Sequence, residues 1–347
     1  MQRSWADIFW DTICIASIIG IWPRFIEPQL LFVARHTVAI ADLPQALDGM
    51  KILHFSDLHF CRYSSPSFIR RLQRKISSLS PDLILFSGDL LSYSQFNQKE
   101  LAEELFSNIS APMGLFACLG NHDYNHYATL SPSGKISYGH SEEHTVVQGL
   151  RKIFGQPAVS GTTDEKVILT PNKELVEFYR AHHVTLLHNE TTQVGPTGQS
   201  LNITGLGDTM ANDCRPTDAF KKWNIQSPGI ILAHNPEIFA NIQNLPGDLY
   251  LFGHTHGGQV NIPFIRGQLL GTKHELHSGF YQKFDKTIFV SRGLGAPFPF
   301  RFLTPPNIAL LTLVKGGKAR GRTPNRQLFS LPQEIPTLAT SKTSSLP

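Results

Sequence analysis

The sequence predicts an α/β domain built in layers around more than one sheet. Strand-like and helix-like segments alternate in the first half of the chain, and strand-like segments dominate the second half. Five of the short apolar runs end in Asp, His, Asn or Gly, at the positions where α/β sheets bind ligands. The 347 residues suffice for one large domain or two average ones.

The first element is an apolar run over residues 8–22, IFWDTICIASIIGIW, with the single charge Asp11 and Pro23-Arg24 behind it. Fifteen helical residues span only about 22 Å, short of the roughly 30 Å of a bilayer core. Asp7 and Asp11 and the lack of a small-x-small site fit a secretory signal poorly. Trp5, Trp10 and Trp22 suit the headgroup belt. The run reads as a membrane anchor that either spans the bilayer or lies in its interface. The alternative is a buried core helix.

Residues 51–56 (KILHFS) and 82–87 (DLILFS) are apolar runs of buried-strand length. Between them Phe68, Ile69, Leu72, Ile76 and Leu79 recur at helical spacing behind Ser65-Pro66, a helix start. Leu101, Leu105 and Ile109 share one face of a second helix over 98–109, and residues 113–118 form a third strand. Further strands are predicted at 184–187, 201–205, 229–233, 248–252, 287–291 and 308–313. Residues 124–171 interrupt the pattern with a Gly- and Ser-rich insertion and one amphipathic segment at 145–154. So long a connection is either a cap over a site or a surface insertion. Lys315, Lys318, Arg320, Arg322 and Arg326 open a flexible basic tail that could touch anionic lipid. The expected organisation is a membrane-associated segment at 1–28, a catalytic domain at 29–314 with a candidate cap at 124–171, and the tail at 315–347.

With 41% hydrophobic and 17% charged residues, the chain is not a disordered one. Its net charge of +4 is spread along the sequence, which does not indicate nucleic acid. Cys14, Cys61, Cys118 and Cys214 form no CxxC pair, so a thiolate metal site or a disulfide framework is not expected. They read as small buried hydrophobes. A metal would have to bind to imidazole and carboxylate, and the chain carries 15 histidines.

The chemistry sits at the strand ends. Asp57-Leu58-His59, Gly88-Asp89, Gly120-Asn121-His122-Asp123, His234-Asn235-Pro236 and Gly253-His254-Thr255-His256-Gly257 follow successive predicted strands. One His or Asp in such a place is ordinarily a satisfied polar group or a helix cap. Five in order are a set. These hard and borderline donors suit Mn²⁺, Fe or Zn²⁺. They are enough for two metals with Asp89 between them, an arrangement suited to hydrolysis of phosphate esters and anhydrides.

The motif order resembles the calcineurin-like metallophosphoesterase superfamily over roughly residues 37–314. The resemblance implies a four-layer α/β/β/α sandwich and a dimetal centre. It implies that Asp57, His59, Asp89 and His256 ligate one metal, and that Asp89, Asn121, His234 and His254 ligate the other. His122 corresponds to the catalytic histidine, and Asp123 would hold its imidazole. Gly88-Asp89-Leu90-Leu91-Ser92-Tyr93 lacks the second Asp and the Arg of the phosphoprotein phosphatases. The segments LDGMKILHFSDLH, FGHTHGGQV and SRGLG resemble the membrane-associated bacterial branch, and within it the UDP-2,3-diacylglucosamine pyrophosphatases of lipid A biosynthesis. That implies a Mn²⁺-dependent enzyme on the cytoplasmic face of the bacterial inner membrane. Its lipid substrate would carry a nucleotide diphosphate head group. The alternatives are hydrolysis of another phospholipid or nucleotide phosphodiester, and a non-catalytic membrane scaffold.

Arg292 and Arg301 are the arginine candidates for phosphate recognition, with structural ion pairing the alternative. His54 reads as a core histidine, His182 and His183 as a helix end, and Asp208 as a strand-end turn.

Overall fold

The computed structural model describes residues 5–130, 136–139, 167–261, 276–296, 298 and 300–316. The centre of the candidate cap, including segment 145–154, and the tail beyond residue 316 lie outside them.

The chain begins with α1 (Trp5–Ala16), which runs on as a wider π-helical spiral over Ser17–Ile26. Then follow β1 (Phe32–Ile40), β2 (Lys51–Phe55), α2 (Pro66–Leu79), β3 (Leu83–Phe86), α3 (Lys99–Phe106) and β4 (Leu115–Ala117). A hairpin of β5 (Tyr127–Leu130) and β6 (Ile136–Gly139) precedes α4 (Lys173–Ala181). The second half carries β7 (Val184–Leu186), β8 (Glu190–Val194), β9 (Leu201–Gly205), α5 (Pro216–Ala219) and β10 (Gly229–Leu232). It ends with α6 (Phe239–Ile242), β11 (Leu249–Phe252), β12 (Gly279–Lys283), β13 (Lys286–Val290) and β14 (Asn307–Lys315).

The strands form two six-stranded sheets, ordered β1-β14-β2-β3-β4-β7 and β12-β13-β11-β10-β9-β8. Leu83 and Leu85 of β3 and Ile52 of β2 meet Ile203, Ile230, Leu232 and Phe289 of the other sheet, forming the core between the sheets. The alternate residues Leu53, Ile84 and Phe86 face outward onto Leu72, Leu105 and Phe178 of α2, α3 and α4. On the far side Ile231, Tyr250 and Ile288 pack on Ala219, Phe239 and Ile242 of α5 and α6. The result is the expected α/β/β/α stack. Burial on both faces is why the central strands read as unbroken apolar runs.

The edge strands β1, β8 and β12 are not legible in the sequence. Each is partly exposed and mixes polar with apolar residues, as in ETTQV of β8 and GFYQK of β12, so none forms an unbroken apolar run.

The N-terminal helix differs from its expected end at Trp22. It continues through Pro23, and Phe9–Gln29 forms a 21-residue apolar helix of mean hydropathy 1.3. At about 1.5 Å per residue that is long enough to cross a bilayer core. Only 6% of its apolar window is buried, with Phe9, Trp10, Ile13, Ile15, Ile21 and Phe25 exposed, so it is not a core helix. Its foot is tied to the body. The buried Glu27 carboxylate accepts from Trp22 Nε1 at 2.8 Å and from the Thr304 N–H, and the Arg301 N–H donates to the Pro23 carbonyl at 2.8 Å.

Candidate metal centre

Parallel strands of the two facing sheets end on one side, and their following loops converge. β2 delivers Asp57 and His59, β3 Asp89, β4 Asn121 and His122, β10 His234, and β11 His254 and His256. Asp57, His59, Asp89, His254 and His256 all have left-handed backbones, with φ between 43° and 68°. Such conformations cost about 1–3 kcal/mol each and persist where surrounding structure enforces them. Here they turn the side chains inward. Gly88, at φ +86°, and Gly120 make the close approach possible: a Cβ on Gly88 would lie 2.4 Å from the Gly120 nitrogen.

Three groups, Asp57–His59–His256, His59–Asp89–His122 and Asp89–His234–His254, each bring their ligand atoms within 4.8 Å of one another. Asp89 Oδ2 lies at the junction, 3.1 Å from His234 Nε2 and 3.4 Å from His59 Nε2. The residues behind the centre fix which atoms face it. His59 Nδ1 donates to the Leu91 carbonyl at 3.1 Å and His234 Nδ1 to the Ser87 carbonyl at 2.8 Å, so each ring turns a bare Nε2 inward. Asn121 Nδ2 donates to the Ala128 carbonyl at 2.8 Å, which leaves Oδ1 toward His254.

Two pairs of imidazole nitrogens face each other, His59 Nε2 with His256 Nε2 at 3.1 Å and His234 Nε2 with His254 Nδ1 at 3.3 Å. Facing lone pairs of this kind fit a shared cation. The donor set of two carboxylates, one amide oxygen and four imidazoles therefore fits divalent metals.

Without a metal the carboxylates and imidazoles act on one another: burial works against a charged His234, but Asp89 and Asp57 outweigh it and hold that imidazole well above its ordinary value. Burial raises the Asp57 carboxyl to about 6 against the pull of His234. Burial also works against an ionised Asp89, but His234, His122 and His59 outweigh it and hold that carboxyl well below its ordinary range. Burial and His59 push His256 down, which favours the neutral, ligating imidazole.

His122 is placed differently from its expected pairing. Asp123 accepts the backbone N–H groups of Asp89 at 2.7 Å, Leu91 at 3.0 Å and Gly120 at 3.0 Å, and so ties two ligand loops together. The His122 Nδ1 instead accepts the Tyr93 N–H at 2.8 Å. The ring's proton is thereby on Nε2, which lies 4.0 Å from Asp89 Oδ2. Tyr127 and Tyr93 enclose the imidazole at centroid distances of 4.1 and 5.2 Å. Neither tyrosine is singled out by a sequence motif. Tyr127 starts the insertion's hairpin, and that position was its only signal.

Arg301 is not free to meet a phosphate. It is buried, and it donates to the carbonyls of Arg292 at 2.8 Å, Thr304 at 3.0 Å and Gly295 at 2.6 Å. It braces the 292–304 loop, whose Leu294 and Gly295 N–H groups bond the Asp57 carbonyl. Arg292 is half-buried, with its Cγ beside Gly257. His54 is fully buried and pairs with the Ser87 hydroxyl at 2.8 Å, a core histidine as read. His182 caps α4, and His183 follows it. Asp208 closes the turn after β9 by accepting the Met210 and Ala211 N–H groups. Of the cysteines only Cys118 is buried; Cys61 and Cys214 are half-buried, and Cys14 is exposed on the N-terminal helix, where no core surrounds it.

Residues 50–258, which hold every one of these ligand-bearing loops, match the calcineurin-like phosphoesterase family. The chain belongs to that family. It is a metal-dependent phosphohydrolase of the metallophosphoesterase fold. It is 33% identical over 314 residues to "UDP-2,3-diacylglucosamine pyrophosphatase LpxG" of Chlamydia trachomatis serovar D, covering 86% of this chain and 94% of the relative. The Chlamydia muridarum protein of the same name is 32% identical, covering 87% of this chain and 96% of that one. "Phosphodiesterase YaeI" of Escherichia coli is 26% identical, covering 87% of this chain and 95% of the relative.

Proposed function

We propose that this metallophosphoesterase hydrolyses the pyrophosphate of UDP-2,3-diacylglucosamine to UMP and 2,3-diacylglucosamine 1-phosphate, as a step of lipid A biosynthesis. The observation that carries this reading is the tie between an exposed apolar helix and the loop bracing Asp57, made through Glu27, Pro23, Arg301 and Thr304. A catalytic centre held at the foot of a bilayer-length helix suits a phosphoester substrate that resides in a membrane. The likeness to the two chlamydial pyrophosphatases supplies the head group. The helix would sit in the bacterial inner membrane with the catalytic domain at its cytoplasmic face.

In this reading Asp57, His59, Asp89 and His256 hold one cation, and Asp89, Asn121, His234 and His254 the other, with Mn²⁺ the expected metal and Fe or Zn²⁺ the alternatives. The metal pair supplies Lewis-acid polarisation of the phosphoryl group and a lowered pKa for attacking water. His122 carries its proton on Nε2, facing the centre, and gives it to the departing phosphate oxygen. Asp123 keeps the Asp89 and Asn121 loops in register. Arg292 is the remaining arginine for the second phosphate.

A second reading, hydrolysis of other phosphodiesters, is favoured by the name of the Escherichia coli relative. Assay of the full chain with Mn²⁺ separates the two. Cleavage of UDP-2,3-diacylglucosamine in mixed micelles to UMP is the expected result. Turnover of bis(p-nitrophenyl) phosphate alone would reject the pyrophosphatase reading and leave the diesterase.

A further inference from the structure

A small cavity of about 60 Å³ opens between the N-terminal helix and the metal centre. His59 lines it, and so do Pro28 and Gln29, the last residues of the helix foot. Its wall carries the apolar Leu58, Phe68, Ile69, Leu294 and Ala296 together with Cys61, Ser64 and Ser65. Arg301 also borders it, but that guanidinium is spent on the carbonyls of its own loop. Leu294 and Gly295 of its lining hold the Asp57 carbonyl from behind, while the His59, His234 and Asn121 side chains are oriented from elsewhere, by Leu91, Ser87 and Ala128.

Tyr63, which is partly exposed, lines it too. The Arg24 guanidinium lies 5.1 Å and that of Arg62 4.7 Å from the Tyr63 ring centroid. Exposed Phe25, Ile26 and Leu303 surround the foot of the helix. An aromatic ring with two guanidiniums beside an exposed apolar helix is the composition of a bilayer's headgroup level. The cavity thus takes its walls both from that level and from a metal-ligand histidine.

We propose that this cavity receives the start of an alkyl chain of the substrate, so that a phosphate at the metal centre is bound with its lipid end pointing back along the helix foot. The proposal rests on the membrane-lipid reading above and adds the place where the lipid is recognised. Its small volume suits one chain, entering from the bilayer beside Tyr63.

The test uses the full chain loaded with Mn²⁺, with bis(p-nitrophenyl) phosphate as reporter and methyl, butyl and hexyl phosphate as competitive inhibitors. Inhibition tightens with chain length in the wild type, by about fourfold per buried methylene. Ala296→Leu fills the cavity and flattens that dependence, while methyl phosphate inhibits as before. Phe68→Leu widens the cavity and extends the dependence to longer chains. Uninhibited reporter turnover in each variant certifies its fold. No chain-length dependence in the wild type overturns the proposal, and so does an unaltered slope in both variants. An intact slope in a wild type that fails to cleave UDP-2,3-diacylglucosamine supports the cavity and rejects only the assigned head group.

Discussion

The Nδ1 atom of His122 accepts the backbone N–H of Tyr93 at 2.8 Å, and this one bond decides which face of the imidazole meets the centre. A backbone N–H cannot be titrated away, so the neutral ring is held as its Nε2–H tautomer. A ring so held is a proton donor toward a leaving group.

His122→Ala should therefore lower kcat by about 10²–10⁴-fold, the usual range for a positioned acid–base group. The loss should be largest for a poor leaving group and smaller for p-nitrophenolate, which needs little protonation. Metal content by elemental analysis should stay near that of the wild type. Equal losses for good and poor leaving groups would remove the proton-donor role.

Asp89 is placed between the two groups of imidazoles, and the close contact of Gly88 with Gly120 keeps it there. Asp89→Ala should abolish binding of both metals, and retained stoichiometry would contradict a shared ligand. Gly88→Ala should act on the same quantity without touching a ligand. Its new Cβ would lie 2.4 Å from a backbone nitrogen at a left-handed φ of +86°. We expect a destabilisation above about 2 kcal/mol and weakened metal binding, read by denaturant titration and metal competition.

The parts of this centre that were legible in the sequence are those where one local rule decides the outcome. Gly88 and Gly120 stand out because a sharp turn after a buried strand needs glycine, and the strand-end Asp and His residues because metal-ligand types recur there in order. The double-sided core was legible for the same reason, since Leu83–Phe86 must be apolar at every position. What stayed hidden depends on contacts between distant segments. The pairing of Tyr93 with His122 goes through a backbone N–H, which carries no residue signature. Asp123 pointed to a side-chain partner, yet its oxygens bind three N–H groups of neighbouring loops. Arg301 resembled a phosphate arm because sequence cannot reveal that three carbonyls surround it. The helix continues past Pro23 because its next turns are fastened to Arg301 and Thr304, nearly 280 residues away.

Asp208 supplies a pH test outside the ligand set. It is buried, its Oδ1 accepts two backbone N–H groups, and its Oδ2 has no hydrogen-bond partner among the described residues. Burial raises its carboxyl from 3.8 to about 7. A folded-state value above the unfolded one means the folded protein binds the proton more tightly. The stabilisation is complete below pH ~4 and is lost as pH rises toward about 7. Asp208→Asn keeps the accepting oxygen and cannot ionise. The metal-free variant should match the wild type near pH 4 and exceed it in stability at pH 8, by urea unfolding. A constant difference across that range would mean that Asp208 does not contribute this ionisation.

The N-terminal helix divides at Trp22, the first residue whose side chain bonds to Glu27. Before it lie the exposed Phe9, Trp10, Ile13 and Ile15; after it lies the foot that fastens the 292–304 loop behind Asp57. Removing residues 2–21 should therefore abolish sedimentation with anionic phospholipid vesicles and leave soluble phosphodiester turnover within about twofold, because the ties at Trp22, Pro23 and Glu27 remain. Extending the deletion through Glu27 removes the acceptor of the Thr304 N–H and strands the buried donor. An unsatisfied buried group costs about 1–3 kcal/mol, so the longer deletion should also lower the unfolding midpoint and the metal affinity. Equal behaviour of the two truncations in all three measurements would show that the helix foot plays no part in holding the centre.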